Sequence, residues 1–591
     1  MKDFFKYVFA TVVGLIVFGI IMAIIGMMSV VGMVASGEAT QNVSKNSVLV
    51  LNLNAIIDEQ AQDNFLGSLT GQQDVSLGLN DILSAIEKAK DNDRIKGIYI
   101  EAGGPATSFA TLQEIRNALV SFKESGKWIV AYGDRYTQGD YYLASLADKI
   151  YMNPQGAVSW HGVGSMPFYI KDAADKFGIH FQIVKVGTFK SATEMFSETK
   201  MSDANRQQTM AYLNGLWENV CNAISESRNI SVDSLNAYAD RLIETEDPTN
   251  FVTTGMVDSL IYALDVKAEV KKLLAIDEEK SINQLSVSDM VNVKGKKKKG
   301  DEIAVYYAYG DIVDEAAGSS FMSQSHQIVG TDVSADLKKL ADDENVKAVV
   351  LRVNSPGGSA YASEQIWHSV MAIKDKKPVV VSMGDYAASG GYYISCAADW
   401  IVAQPTTLTG SIGIFGVIQE ASELVTKKLG VHFDEVKTNK NTTFGNTMAR
   451  PLNTEELNML QAHVTRGYHL FRQRVADGRN QPVDSIEVIA QGRVWLGQDA
   501  LGIKLVDELG GIDVAIAKAA ELADLKEFHT TEYPAAPDFF DQLMSASQRG
   551  NYLDEQMRQT LGTIYEPVMM MKELGKQNPL QARMPLSIMV N

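Results

Sequence analysis

A strand-like run from Pro378 through Asp385 leads into Ala387-Ala-Ser389-Gly-Gly391 and then Tyr392-Tyr-Ile, which places a serine between an apolar strand and a helix start. Small neighbours on both sides permit the sharp turn that presents a nucleophilic hydroxyl, as in the Gly-x-Ser-x-Gly elbow. A helix N-terminus beneath it would favour developing negative charge. The same residues would also suit a helix N-cap. An earlier stretch separates the two readings. At an offset of 251 residues, Trp128-Ile-Val-Ala-Tyr-Gly-Asp leads to Tyr141-Tyr142 with Gln138 where Ser389 would stand. The frame persists and the hydroxyl does not, as expected when only one copy needs a nucleophile.

A serine hydroxyl needs a general base, usually histidine or, in Ser-Lys enzymes, a neutral lysine. His180 and His432 occupy equivalent positions in the two copies and read as structural; the other six histidines lie in no triad context. Lys190, in Val186-Gly-Thr-Phe-Lys-Ser-Ala, occurs only in the first copy, and Thr442 takes its place in the second. Serine and lysine are thus complementary between copies. Deprotonating a lysine at pH 7 from an ordinary pKa costs about 4–5 kcal/mol, so burial must supply the shift, and Phe189, Met195 and Phe196 are apolar residues that could enclose the amine. Ser411, in Leu408-Thr-Gly-Ser-Ile-Gly, can orient that amine or serve simply as a turn residue. Asn354-Ser-Pro-Gly-Gly358 closes another strand, and Gly357 and Gly358 are candidate backbone donors to a tetrahedral oxyanion. This chemistry needs no metal or organic cofactor. Cys221 and Cys396 are the only cysteines, too few for a disulfide framework or a structural zinc site.

These residues must be positioned by α/β units: strand-like runs alternate with helical periodicity, the pattern of largely parallel sheets. At 591 residues the chain exceeds one domain. The repeat near 250 residues marks two tandem domains, 46–280 with the lysine and 303–540 with the serine, joined by a polar, lysine-rich linker at 281–302. A helical tail, 541–591, has no counterpart in the first copy. The N-terminal part, 1–45, carries Lys2 and Lys6 before an uncharged run from Tyr7 to Gly37. That run exceeds the roughly 20 residues a bilayer requires. It predicts a retained transmembrane anchor, with the short N-terminus cytoplasmic and the bulk of the chain exported. A net charge of -18 argues against nucleic-acid partners.

Taken together, Asn354-Ser-Pro-Gly-Gly, Ala387-Ala-Ser-Gly-Gly-Tyr, Leu408-Thr-Gly-Ser-Ile-Gly, Gly187-Thr-Phe-Lys-Ser-Ala and the stretch from Gly492-Arg-Val-Trp to Leu505-Val-Asp-Glu-Leu-Gly resemble the signal peptide peptidase A (protease IV) family in its long two-repeat form. The resemblance implies two tandem Clp protease/crotonase-like domains after an N-terminal transmembrane helix, with Ser389 as nucleophile and Lys190 as base. It also implies a homo-oligomer, tetrameric by resemblance, on the outer side of the cytoplasmic membrane. The substrates it implies are signal-peptide remnants and other unstructured apolar peptides. Met195 departs from the proline of that family's loop. Two other readings compete: a crotonase-like acyl-CoA enzyme, which leaves the Ser/Gln and Lys/Thr complementarity unexplained, and a catalytically idle membrane scaffold.

Overall fold

The computed structural model describes residues 41–61, 76–295, 299–315, 326–534 and 580–584, with isolated positions near the N-terminus. The expected anchor, Tyr7 to Gly37, and most of the expected helical tail lie outside the described residues. Among the described residues no helix is long and apolar enough to cross a membrane.

In the first copy β1 (Ser47–Asn52), β2 (Ile95–Glu101), β3 (Trp128–Tyr136) and β4 (Lys149–Val158) form a parallel sheet in the order β4-β3-β2-β1. Helices α1 (Leu79–Asp91), α2 (Phe109–Lys123) and α3 (Gln138–Ala144) alternate with the strands, so the connections are crossovers, as parallel pairing requires. Ile82, Ala85, Ile86 and Ala89 give α1 one buried apolar face, which packs with Ile98 and Ile100 of β2 in a common core. After the sheet come β5 (His180–Lys185) and the long helix α4 (Asp203–Arg228), which Ser202 caps by accepting the Asn205 N–H.

The second copy repeats this order. Strands β6 (Asp301–Tyr309), β7 (Val346–Ser355) and β9 (Val379–Ala388) are parallel neighbours, with β8 (Gly357–Ser359) and α5 (Ala360–Lys374) between β7 and β9 in sequence. All of β7 is buried except Lys347 and Asn354, as expected of a parallel strand covered on both faces. Helix α6 (Gly390–Ser395) follows β9 directly, just as α3 follows β3. Beyond it lie β10 (Leu408–Gly410), β11 (Phe415–Glu420) and β12 (Phe528–Tyr533), the last flanking β6.

Two features cross the copies. A mixed sheet contains β8, the C-terminal strand β13 (Leu580–Arg583), β11 and, from the first copy, β5, in that order. Beneath it, the apolar cluster of the first copy also takes in Ala388, Leu408, Val494, Leu496 and Met584. The region expected to be a free linker is partly structured. Asn283–Leu285 pairs in parallel with β1, and Leu285, Val287, Met290 and Val293 join the first core. Polarity marked 281–302 as solvated, but four apolar residues within it suffice to dock it.

Candidate active site

β9 ends at Ala388, and Ser389 is the N-cap of α6 with φ 55° and ψ -111°. A non-glycine residue at positive φ stores about 1–3 kcal/mol of strain, which persists only where its surroundings enforce it. Here they do. The Ser389 N–H donates to Gly410 O at 2.8 Å, its carbonyl accepts from Tyr393 N at 2.8 Å, and α6 is buried throughout. Its neighbours could not be larger: a methyl carbon on Gly391 would lie 2.6 Å from Ser355 O, and one on Gly390 would lie 2.7 Å from Ser363 Oγ.

Lys190 reaches this serine from the loop after β5. Antiparallel pairing of β5 with β11 runs from His180↔Glu420 to Lys185↔Phe415, and Val186 N then donates to Ile414 O. The loop is also held to the second copy by Phe189 N to Gln491 O at 2.9 Å and by Thr188 Oγ1 to Gln491 Oε1 at 2.8 Å. Gln208 of α4 fastens its other side, donating to Phe189 O and Ser191 Oγ, while its own Oε1 accepts from Val494 N. Gly492 leaves room for the lysine: a methyl carbon there would lie 2.7 Å from Lys190 Cβ.

The result is a closed polar cluster. Lys190 Nζ stands 2.7 Å from Ser389 Oγ, 3.0 Å from Ser411 O and 3.1 Å from Ser411 Oγ. Lys190, Ser389 and Ser411 are each 0% exposed. Burial holds the lysine amine well below its usual range, and among the described residues no carboxylate stands in hydrogen-bond contact with it. Of the enclosing residues expected from sequence, Phe196 is buried and Met195 packs beside it. The aromatic ring facing the amine is that of Phe415, whose centroid lies 5.9 Å from Nζ. A neutral amine has two N–H donors and one lone pair. Ser411 can take both N–H groups through its carbonyl and hydroxyl, leaving the lone pair for the Ser389 proton.

The expected oxyanion donors, Gly357 and Gly358, lie in β8, directly before α5. Gly357 N–H already donates to Ser355 Oγ at 3.1 Å, so it has an acceptor of its own. Gly357 lies next to Gly390 N, 2.7 Å from where a Gly357 methyl carbon would sit. Gly390, the first residue of α6, is thus a further candidate donor, one the sequence did not single out. Gly358 remains a candidate. In the first copy the matching position is closed: Gln138 Oε1 accepts from His161 N and Gly162 N, and its Nε2 donates to Gly162 O. Thr442, counterpart of Lys190, lies in an exposed turn and donates to Asn439 O. His180 meets Asp175 of its own copy and Glu423 of the other, in keeping with a structural role.

With this geometry in hand, residues 121–277 and 371–526 match peptidase family S49, and residues 302–407 match the Clp protease family. The chain belongs to peptidase family S49. One matched stretch lies in each copy, so the family match follows the duplication. The peptidase is 38% identical over 534 residues to Protease 4 of Salmonella typhi, spanning 87% of this chain and 84% of that protein. It is 33% identical to Protease 4 of Haemophilus influenzae, over 85% of this chain and 83% of that one. With the chloroplastic serine protease SPPA of Arabidopsis thaliana it shares 28% identity over 82% and 70% of the two chains.

Proposed function

We propose that this peptidase is a membrane-anchored serine endopeptidase in which Ser389 attacks the substrate carbonyl and Lys190 is the general base. The observation that carries the reading is the 2.7 Å contact between a fully buried lysine amine and a serine hydroxyl held at positive φ. Lys190 takes the hydroxyl proton as the bond to carbon forms, and the Gly358 and Gly390 N–H groups receive the oxyanion. The lysine then protonates the leaving amine and activates the water that releases the acyl-enzyme. Ser411 keeps the lone pair aimed at Ser389.

Substrates enter as an extended strand between β8 and β11, and the reading assigns them to apolar peptides, chiefly signal-peptide remnants. The run from Tyr7 to Gly37 serves as a single-pass anchor that keeps the bulk of the chain on the extracytoplasmic face of the cytoplasmic membrane, close to such peptides.

The peptidase also works as a homo-oligomer. By the repeat offsets, the counterpart of β11 is 164–169 and that of β5 is 432–437, and neither is a strand here. Both carry exposed apolar side chains: Met166 97% and Phe168 46% on one, Phe433 48% and Val436 93% on the other. The β5–β11 pairing repeated between neighbouring copies would cover them.

The deciding experiment compares hydrolysis of an apolar signal-peptide substrate by the full chain, Ser389→Ala and Lys190→Ala, with folding checked by circular dichroism. Both variants are expected to lose activity by several orders of magnitude. Cleavage surviving in either folded variant rejects the pair.

A further inference from the structure

One buried amide ties the lysine loop to the strand that orients the lysine. Gln208, in the second turn of α4, is 2% exposed. Its Nε2 donates to Phe189 O and to Ser191 Oγ, each at 3.0 Å, on either side of Lys190, and stands 3.3 Å from Asn205 Oδ1. Its Oε1 accepts from Val494 N at 3.2 Å, in the short strand Val494–Leu496 of the second copy. An amide side chain has two N–H donors and a carbonyl, and these contacts use both donors and the carbonyl. They also fix which way it points. Turned over, its oxygen would face the Phe189 carbonyl and its NH2 group would face the Val494 N–H.

The Val494 end of this bridge belongs to the chain that holds both serines. Val494 lies opposite Gly410 in the antiparallel pairing of its strand with β10. Gly410 O accepts from Ser389 N at 2.8 Å, and Ser411 N donates to Arg493 O at 2.7 Å. Gln208 thus fixes the backbone on both sides of the lysine against the strand that fixes the nucleophile and its neighbour Ser411. The loop's other side-chain tie, Thr188 to Gln491, is exposed, so water can replace it; the buried Gln208 has no such substitute. The repeat offers a comparison. Ser202 and Asn453 cap equivalent helices at an offset of 251, which pairs Gln208 with Met459, a residue 49% exposed. The amide occurs only in the copy that carries the lysine.

We propose that Gln208 is a positioning residue for the base, holding Lys190 at the 2.7 Å from Ser389 Oγ that proton transfer needs. It touches neither substrate nor the reacting atoms, and its role rests on those proposed for Ser389 and Lys190. A lysine amine is held no better than the backbone that carries it. Loss of the amide removes the partner of Phe189 O and of Val494 N, frees residues 189–191 from the second copy, and moves the amine relative to the hydroxyl. A misplacement of about 1 Å between reacting groups costs about 100-fold in rate. The proposed peptide slot, between β8 and β11, does not include Gln208, so the loss falls on kcat and leaves KM in place.

The test follows cleavage of an internally quenched apolar peptide by the full chain in detergent, with Ser389 labelled to its end point by a fluorophosphonate so that each kcat is expressed per labelled site. Gln208→Met keeps the shape and removes every contact, whereas Gln208→Glu keeps the acceptor for Val494 N and loses the donors. Leu274→Ala, which opens the buried cluster of Val266, Val270 and Leu274, serves as a destabilised chain with an unaltered site. Both Gln208 variants are expected to lose about 100-fold in kcat per labelled site with KM within about twofold of wild type, while Leu274→Ala keeps the wild-type kcat per site. A kcat per site within about threefold of wild type, in whichever Gln208 variant folds, overturns the proposal. So does a loss confined to the number of labelled sites, which is what a merely structural role gives, or a rise in KM with kcat kept. A wild type that neither labels nor cleaves, or a Lys190→Ala chain as active as wild type, removes the reading of the Ser389–Lys190 pair and this proposal with it.

Discussion

At the residue scale, burial lowers the proton affinity of the Lys190 amine, which has a measurable consequence for stability. The folded amine titrates well below the unfolded one, because desolvation penalises its charged form. Between the lowered folded value and the ordinary lysine range, the unfolded chain binds one more proton than the folded chain at this position. Stability therefore rises with pH there, by about 1.4 kcal/mol per unit from this group alone. Lys190→Met removes that slope. It is expected to be more stable than wild type near neutrality, with the gap narrowing as pH approaches the ordinary lysine range. Denaturant unfolding across that window checks this, and parallel slopes in the two proteins would contradict it. With Lys190 as the proposed base, kcat/KM is expected to rise as pH passes the lowered value. Ser389 and Lys190 were legible as sequence because the repeat supplied an internal control at each position. Gly390 and Gln208 were not, since a helix-start glycine and a helical glutamine carry no mark of what they face in segments distant in sequence.

At the element scale, what holds the two copies in working register is partly polar. Arg352 of β7 is 1% exposed and lies 2.8 Å from both Glu59 and Glu114 of the first copy. Ser382 Oγ accepts a further N–H, and Asn354 Nδ2 donates to the second oxygen of Glu59. Nearby, Asp385 accepts both the N–H and the hydroxyl of Thr111. Removing one member of a buried ion cluster leaves the others without compensation, a loss of about 3–5 kcal/mol. Arg352→Ala is expected to lower stability by about that amount and to reduce activity with it, since β7 leads directly into the Gly357-Gly358 turn. Urea unfolding followed by tryptophan fluorescence measures the loss; a change under about 1 kcal/mol would mean the cluster does not join the copies. The alternation of strands and helices was readable from periodicity, and so was the repeat. The Arg352 cluster was not, because its partners are separated by more than 200 positions and look like ordinary surface charges in sequence.

At the scale of the whole molecule, duplication has produced one complete site and one closed one, with the lysine of the first copy delivered to the serine of the second. The leftover edges, 164–169 and 432–437, predict how copies associate. Phe168→Asp and Phe433→Asp are each expected to shift the detergent-solubilised protein from oligomer to monomer in analytical ultracentrifugation. An unchanged mass for both would place the interface elsewhere. Residue order by itself determined that the chain is duplicated, that serine and lysine are divided between the copies, and that an uncharged run long enough for a bilayer stands at the N-terminus. These are properties of type and spacing, which survive without coordinates. Only the tertiary structure decided that Lys190 and Ser389 meet, that the Gly357 N–H donates to Ser355 Oγ, that part of the linker packs into the first core, and that Leu580–Arg583 pairs between β8 and β11. Apart from the bond from Gly357 to Ser355, each is a contact between segments distant in sequence, made by strand pairing and burial that neither segment encodes alone.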